Sequence, residues 1–308
     1  MDLSQYILRR LLVMIPVLVF VSIFSFSIIH ITPGDPVTMM VNPRLGEEAI
    51  KATEARLGLD RSLPMQYLMF LNRIVRGDFG RSLYSREQVS SMILYRLPLT
   101  LTLMFLGLGL AYLTAIPIGV LAAVRRGSLT DYLTMVIPMI GVGLPRFWLG
   151  LILMLIFSIN LNWFPVAGHG TVSHIVLPSV TLAATSMAYV ARVMRSSMLE
   201  VLQKDYVRTA RSKGLLERVV IFKHALRNAI NPVIALFGLD FGWIIGGAVM
   251  VEFVFNRPGL GRLMVDSIQM RDYPVFQVLI LFLTASVILG NLLGDVLLAL
   301  SNPRIRHK

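Results

Sequence analysis

YVRTARSKGLLERVVIFKHALRNAINP, residues 206–232, carries six Lys or Arg residues and one His between two runs apolar enough to cross a bilayer. A soluble domain spreads its charge over its surface. A chain that confines charge to the stretch between oily runs is organised by a membrane, and this stretch is then a loop at its face.

Composition agrees. The 308 residues are 56% hydrophobic and 15% charged, with mean hydropathy +0.72, more apolar and less charged than ordinary soluble domains. A bilayer core of roughly 30 Å needs about 20 apolar residues in helix, and several windows here meet that length without any charge. There is no cysteine, which excludes disulfides, thiolate metal sites and cysteine nucleophiles. The net charge of +12 raises the question of nucleic acid, but its position answers it.

Six spans are expected, at about 11–31, 97–124, 133–159, 175–194, 233–251 and 275–300, with Pro, Gly and charge as their boundaries. The first follows Arg9-Arg10, ends at Thr32-Pro33-Gly34-Asp35 without a small-residue cleavage site, and reads as a retained helix. The N-terminus, residues 124–131, the 206–232 loop and the C-terminus fall on one side and hold most of the excess positive charge. Lys and Arg excess marks the cytoplasmic side, so both termini are expected there and no nucleic acid is implied. The fold expected is an all-α polytopic membrane protein with a small helical external insertion. Its parts are residues 1–31, an external segment 32–96, and a five-helix core 97–308 that includes a cytoplasmic loop 196–231.

The external segment has nine basic and seven acidic residues and reads as helical. Residues 46–58 suit a short helix with Glu47 and Lys51 at i,i+4 and a glycine stop. Ser62-Leu63-Pro64 starts another whose apolar face is Leu63, Tyr67, Phe70 and Ile74. Ser85-Arg86-Glu87-Gln88 has capping-box spacing before Val89, Met92 and Ile93. A docking cap and a plain connection both fit this pattern.

In the loop itself, Leu199, Leu202, Tyr206 and Ala210 recur every three or four residues, which predicts that the fourth span continues as helix to Gly214. Glycine ends helices in a left-handed backbone because it has no Cβ to clash. Beyond it Leu215, Val219, Phe222, Leu226 and Ala229 form a second stripe, and Pro232 ends or bends that arm. A helix, a glycine turn and a second helix form an element that inserts into a cleft on another protein. A basic loop facing anionic lipid is the competing reading.

Two ionisable residues lie inside expected spans, Arg146 beside Pro145 and Asp240 near the middle of the fifth. Intramembrane charges face a partner or a water-filled cavity. They are read either as a structural pair or as groups that meet a charged partner in such a cavity. Gly238, Gly242 and Gly246 follow at four-residue spacing on one face, where another helix approaches closely. A metal site is not indicated, since His169 and His174 stand in a Gly- and Ser-rich loop and no His-Glu-x-x-His or Gly-x-Ser-x-Gly occurs. An ion-coupled secondary carrier using Arg146 and Asp240 is the functional rival.

The stretch from Tyr206 resembles the cytoplasmic coupling loop of ABC-transporter permease subunits. Arg208-Thr209-Ala210 stand where that family has Glu-Ala-Ala, and Gly214 falls at its glycine. YVRTARSKG with HALRN resembles, more narrowly, the B-type permease of dipeptide and oligopeptide importers. The likeness continues through Thr32-Pro33-Gly34-Asp35-Pro36, Leu57-Gly58-Leu59-Asp60, Arg76-Gly77-Asp78-Phe79-Gly80-Arg81-Ser82, Pro258-Gly259-Leu260-Gly261-Arg262, Arg271-Asp272-Tyr273-Pro274 and Asn302-Pro303-Arg304-Ile305-Arg306.

The resemblance implies a non-catalytic permease subunit forming half of a pathway for di- or oligopeptides or similar small solutes. A second homologous permease, two cytoplasmic ATPase subunits and an external solute-binding protein would complete the assembly in the lipid membrane. Coupling would fall to Tyr206, Arg208, Thr209, Ala210, Arg211, Lys213 and Gly214. Arg146 and Asp240, where they do not simply pair with each other, would meet the charged termini of a peptide and, with Gly238 and Gly242, border the pathway. No cofactor is expected in this chain: it lacks a Gly-x-x-x-x-Gly-Lys-Ser/Thr loop, so ATP and Mg would be held by the ATPase partners.

Overall fold

The computed structural model describes residues 3–31 and 60–301. The short helix expected over 46–58, the Thr32-Pro33-Gly34-Asp35-Pro36 turn, Leu57-Gly58-Leu59 and the Asn302 to Arg306 motif lie outside the described residues. Within them the chain forms α1 (Leu3–Ile31), α2 (Leu63–Val75), α3 (Val89–Val124), α4 (Leu129–Gly143), α5 (Arg146–Leu153), α6 (Ser173–Leu202), α7 (Asp205–Ser212), α8 (Glu217–Val219), α9 (Leu226–Ala229), α10 (Asn231–Val254), α11 (Leu260–Gln269) and α12 (Tyr273–Ser301). The fold is all-α; the described residues hold no strand beyond an isolated bridge between Arg81 and Gln88.

Among the described residues, α1, α3, α6, α10 and α12 are long and apolar enough to cross a membrane. The span expected as one helix over 133–159 is instead two pieces, α4 and α5, the latter running on as a π-helical segment Met154–Asn160. Leu144 and Pro145 between them have extended backbone, at ψ 135° and 136°. The residue before a proline is driven out of helical geometry by the ring. Continuous hydropathy therefore conceals a broken backbone. At 1.5 Å per residue the 15 residues of α4 measure about 22 Å, short of a bilayer core.

The chain divides into two compact units. One comprises Met1–Arg10, Leu99–Arg262 and Ser286–Lys308; the other Leu11–Pro98 and Leu263–Ala285.

In the first unit the buried side chains include Leu103 and Leu108 of α3, Leu182, Val190, Met194 and Met198 of α6, and Ile244 and Val251 of α10. Lipid is as apolar as these side chains, so association rests on close packing and polar contacts. The closest backbone approach is between α10 and α12, where a Cβ on Gly238 would collide with the Cα of Gly294. The four-residue glycine spacing thus serves a helix crossing.

In the second unit α2 lies against α1. Phe26 meets the rings of Tyr67 and Phe70 at 5.5 and 6.0 Å, and the hydroxyls of Ser22 and Tyr67 are 2.7 Å apart. The expected face of α2 is correct at Tyr67 and Phe70, but Leu63 in its first turn is exposed. Ser25 and Gln277 exchange hydrogen bonds between α1 and α12, each 3.3 Å. Ser85 does not form a capping box. The segment before α3 is a tight turn, closed by Ser82 N–H on the Glu87 carbonyl (2.9 Å), with Arg86 at φ 64°. The hydroxyl of Ser82 accepts the Tyr84 and Ser85 N–H groups at 3.2 and 2.9 Å and donates to Asp272, whose other oxygen accepts Leu83 N–H at 3.0 Å. Two of the quoted motifs, 190 positions apart, are interlocked there.

Candidate functional site

The 206–232 loop begins where α6 stops. The helix does not run on to Gly214 as expected: it ends at Leu202, and α7 starts afresh at Asp205 after Lys204 adopts an extended backbone. Val207 and Ala210 of α7 are buried, whereas Tyr206, Arg208, Thr209, Arg211 and Lys213 are exposed. Gly214 closes α7 at φ 74°, its N–H bonded to the Arg211 carbonyl at 2.9 Å. A Cβ there would meet nothing within 4 Å. Space does not demand glycine at 214; the left-handed backbone does.

Past the turn, Leu215 and Leu216 are exposed, the latter at 76%. The return arm is α8, a π-helical segment Val220–Ala225, and α9. Its buried residues are Val220, Ile221, Ala225 and Ala229, and Phe222 is exposed. The expected stripe through Leu215, Val219 and Phe222 is therefore displaced. A π-helical turn holds more residues than an α-turn and rotates the side chains beyond it.

Side chains brace the two arms. Arg211 grips Glu217 through Nη2 at 2.7 Å and Nε at 3.2 Å, which raises the Arg211 pKa and holds the Glu217 carboxyl below its ordinary range. Asn228 donates to the Tyr206 hydroxyl at 2.9 Å. The result is a turn with a fixed backbone that presents apolar and cationic side chains to its surroundings.

A stronger pair stands at the start of α4. Asp131 takes a bidentate grip from Arg195 of α6, at 2.6 and 2.7 Å, and also accepts Gly127 N–H at 3.0 Å. Hydrogen bonding from the guanidinium, against some desolvation, lowers the Asp131 pKa to about 2. Ser128 caps the helix by accepting Asp131 N–H. The Arg125-Arg126 turn is thereby tied to α6, eleven residues before Tyr206.

Within the spans, α10 collects the polar groups. Asp240 accepts the Tyr112 hydroxyl of α3 at 2.9 Å, with Ser186 of α6 near it. Arg146, the first residue of α5, reaches Thr185 at 3.4 Å and lies across α10 where a Cβ on Gly247 would collide with its Nη1. Arg146 and Asp240 feel each other's charge without forming a direct ion pair. Gly238 packs on Gly294 and Gly242 on Asn291, both of α12, while Gly246 faces open space. The structure thus brings Arg146 and Asp240 to one neighbourhood and gives Gly238 and Gly242 to a helix crossing.

One residue escaped the sequence reading. Glu252 is fully buried, with Oε1 accepting the Thr100 hydroxyl at 2.7 Å and Oε2 accepting Gly261 and Arg262 N–H at 2.7 and 3.3 Å. It satisfies the first amides of α11 and favours their positive end. Arg257, buried beside it, donates to the Leu99 carbonyl at 3.3 Å. The Pro258-Gly259-Leu260-Gly261-Arg262 motif was the available signal, since its glycines let the backbone wrap the carboxylate.

Comparison with known proteins gives three findings. Residues 115–307 match the family model described as "Binding-protein-dependent transport system inner membrane component", and residues 3–104 match "Binding-prot-dependent transport system membrane comp, N-term". "Glutathione transport system permease protein GsiC" of Salmonella paratyphi A is 45% identical over 304 residues, covering 99% of both chains. Its namesake in Escherichia coli K12 is 44% identical with the same coverage. A solved structure titled "Crystal structure of an amino acid ABC transporter with histidines" overlays 70% of this chain and 94% of its own at TM-score 0.53 and 19% identity. That last likeness speaks for the fold alone.

Proposed function

The chain belongs to the binding-protein-dependent transport system inner membrane component family and is a non-catalytic, multi-pass permease subunit of an ABC importer; on that premise, we propose that its 206–232 loop couples transport to ATP hydrolysis on separate subunits. The family implies a second permease, ATPase subunits and a binding protein as partners, and it removes the ground for an ion-coupled carrier. In this reading both termini and the loop are cytoplasmic, and residues 32–96 are external.

The observation that carries the proposal is the exposed left-handed turn at Gly214, with Leu215 and Leu216 bare and Arg208 and Lys213 beside them. Bare apolar side chains rimmed by charge suit a protein cleft, where the charges set orientation and encounter rate. Tyr206 and Arg211 brace the turn, Ala210 packs inside it, and Thr209 lies on its exposed side. Because α6 ends at Leu202, the loop acts as a separate lever whose motion reaches the bundle through its two ends, the 203–204 link into α6 and Ile230 into α10, with the Asp131–Arg195 clamp passing it from α6 to α4. ATP and Mg are held by the ATPase partners, and no cofactor is assigned to this chain.

For cargo, we infer a short peptide, with glutathione, itself a tripeptide, as the first to test, because the 44–45% identical relatives carry that name over their full length. Arg146 and Asp240 border the pathway in this reading.

The deciding experiment is ATP-dependent uptake by the reconstituted transporter carrying Gly214→Trp. Expected is an inserted, assembled complex whose ATPase activity no longer drives uptake. Normal uptake by that variant sinks the coupling assignment. Gly214→Asn, whose residue tolerates the left-handed region, should keep most of the turn and so most of the uptake.

A further inference from the structure

Arg146 and Asp240 are set apart from the other ionic groups of the spans by their spacing. Asp240 lies on α10, and the Arg146 guanidinium crosses the same helix at Gly247. Seven residues are close to two helical turns, so Asp240 and Gly247 share one face, their backbone positions about 10 Å apart along the axis. Both side chains are half-buried, and an ion so placed in a bilayer faces a partner or water.

Neither group is used up. Arg146 makes one hydrogen bond, through Nε to Thr185, which leaves the two amino groups of its fork for a planar acid. Asp240 accepts one hydrogen bond, from Tyr112, and a carboxylate has room for about four donors. A pair meant only to neutralise itself would close to direct contact, because separated charges in low dielectric keep most of their desolvation cost.

We propose that this face of α10 is a transport subsite for a zwitterionic short peptide, with Arg146 receiving its carboxylate and Asp240 its ammonium. An extended chain advances roughly 3.3–3.6 Å per residue, so three residues cover the gap. Gly247 is the enabling position, since any side chain there displaces the guanidinium. Thr185, Ser186 and Tyr112 position the two charges and take no part in binding. The inference rests on the peptide reading above.

The test uses the complete transporter in liposomes, with uptake of glutathione and tri-alanine as probes and Arg146→Gln, Asp240→Asn, the double variant and Arg146→Lys as variants. Each neutralisation should lower uptake about 10- to 100-fold, the range for losing a charged hydrogen bond, with peptide affinity of the binding protein unchanged. The double variant should be no better than the worse single one. Arg146→Lys, which keeps the charge and loses the fork, should fall between; it serves as the reading if Arg146→Gln fails to assemble. Uptake restored in the double variant, or unchanged in either single one, overturns the subsite in favour of a structural pair. A wild-type transporter that takes up neither probe overturns the peptide reading itself, and this inference with it.

Discussion

The ion pair of the 206–232 loop, Arg211 with Glu217, leaves about half of each side chain open to solvent, whereas Glu252 and its donors are sealed within the first unit. Both arrangements hold a bend in the chain. In the loop, water competes for every polar group, so the pair contributes little and the bend is set by the backbone at Gly214. Around Glu252 nothing competes, and each donor that loses its acceptor stays unpaired at full desolvation cost. One bend remains available to a partner protein; the other is a fixed part of the bundle.

The contrast is broken most severely at Glu252. Glu252→Ala strands Thr100, two amides and Arg257 together, and should cost about 3–5 kcal/mol, read as a large fall in the thermal midpoint of the complex in detergent. Glu252→Gln, keeping one acceptor oxygen, should cost less. A Glu252→Ala complex as stable as wild type would erase the distinction between the regions.

Next comes the clamp between α4 and α6. Asp131→Asn should cost about 1.5–3 kcal/mol. Its pH dependence has a definite sign: the folded pKa, about 2, lies below the unfolded value near 3.9. Its stabilisation is thus complete above about pH 4 and is lost as pH falls towards 2. Between pH 5 and 8 that contribution should be constant, so Asp131 adds no pH dependence to melting there, and a wild-type pH transition in that window that Asp131→Asn removes would refute the clamp as described.

Smaller still is the backbone term in the loop. Gly214→Val should cost about 1–2 kcal/mol through the left-handed conformation alone, visible as faster proteolysis of the loop, while Gly214→Asn stays well below it. Smallest is Arg211→Ala, under about 1 kcal/mol and weaker as salt rises. If Arg211→Ala exceeded Gly214→Val, side chains and not backbone would shape the turn.

Much of this was legible in advance. Uninterrupted apolar runs located α10 and α12 to within a few residues, and α1, α3 and α6 at one end each, their other ends running about eight residues past the apolar core, because a bilayer demands both length and apolarity. Gly214 was legible because few residues other than glycine take up a left-handed turn without strain. The break at Leu144 and Pro145 was not, although the proline is in plain view, since hydropathy sums side chains and is blind to dihedral angles. Nor was the π-helical segment Val220–Ala225, whose extra residue per turn defeats a 3.6-residue stripe. Glu252 was obscured by the rule that located its helix: a charge was taken to end the fifth span at Val251, yet α10 runs to Val254 with that charge inside. The meeting of Arg146 with α10 depends on one glycine in a helix rich in them, and spacing does not single out Gly247.

The bond from Ser82 to Asp272 also has a bearing on biosynthesis. At ribosomal speeds of about 5–20 residues per second, Ser82 leaves the ribosome roughly 10–40 s before its acceptor exists. Throughout that interval the turn that precedes α3 must be satisfied by solvent. The second unit therefore cannot close until residues 263–285 are made, and a truncated nascent chain lacking them would present an unfinished surface to quality-control proteases.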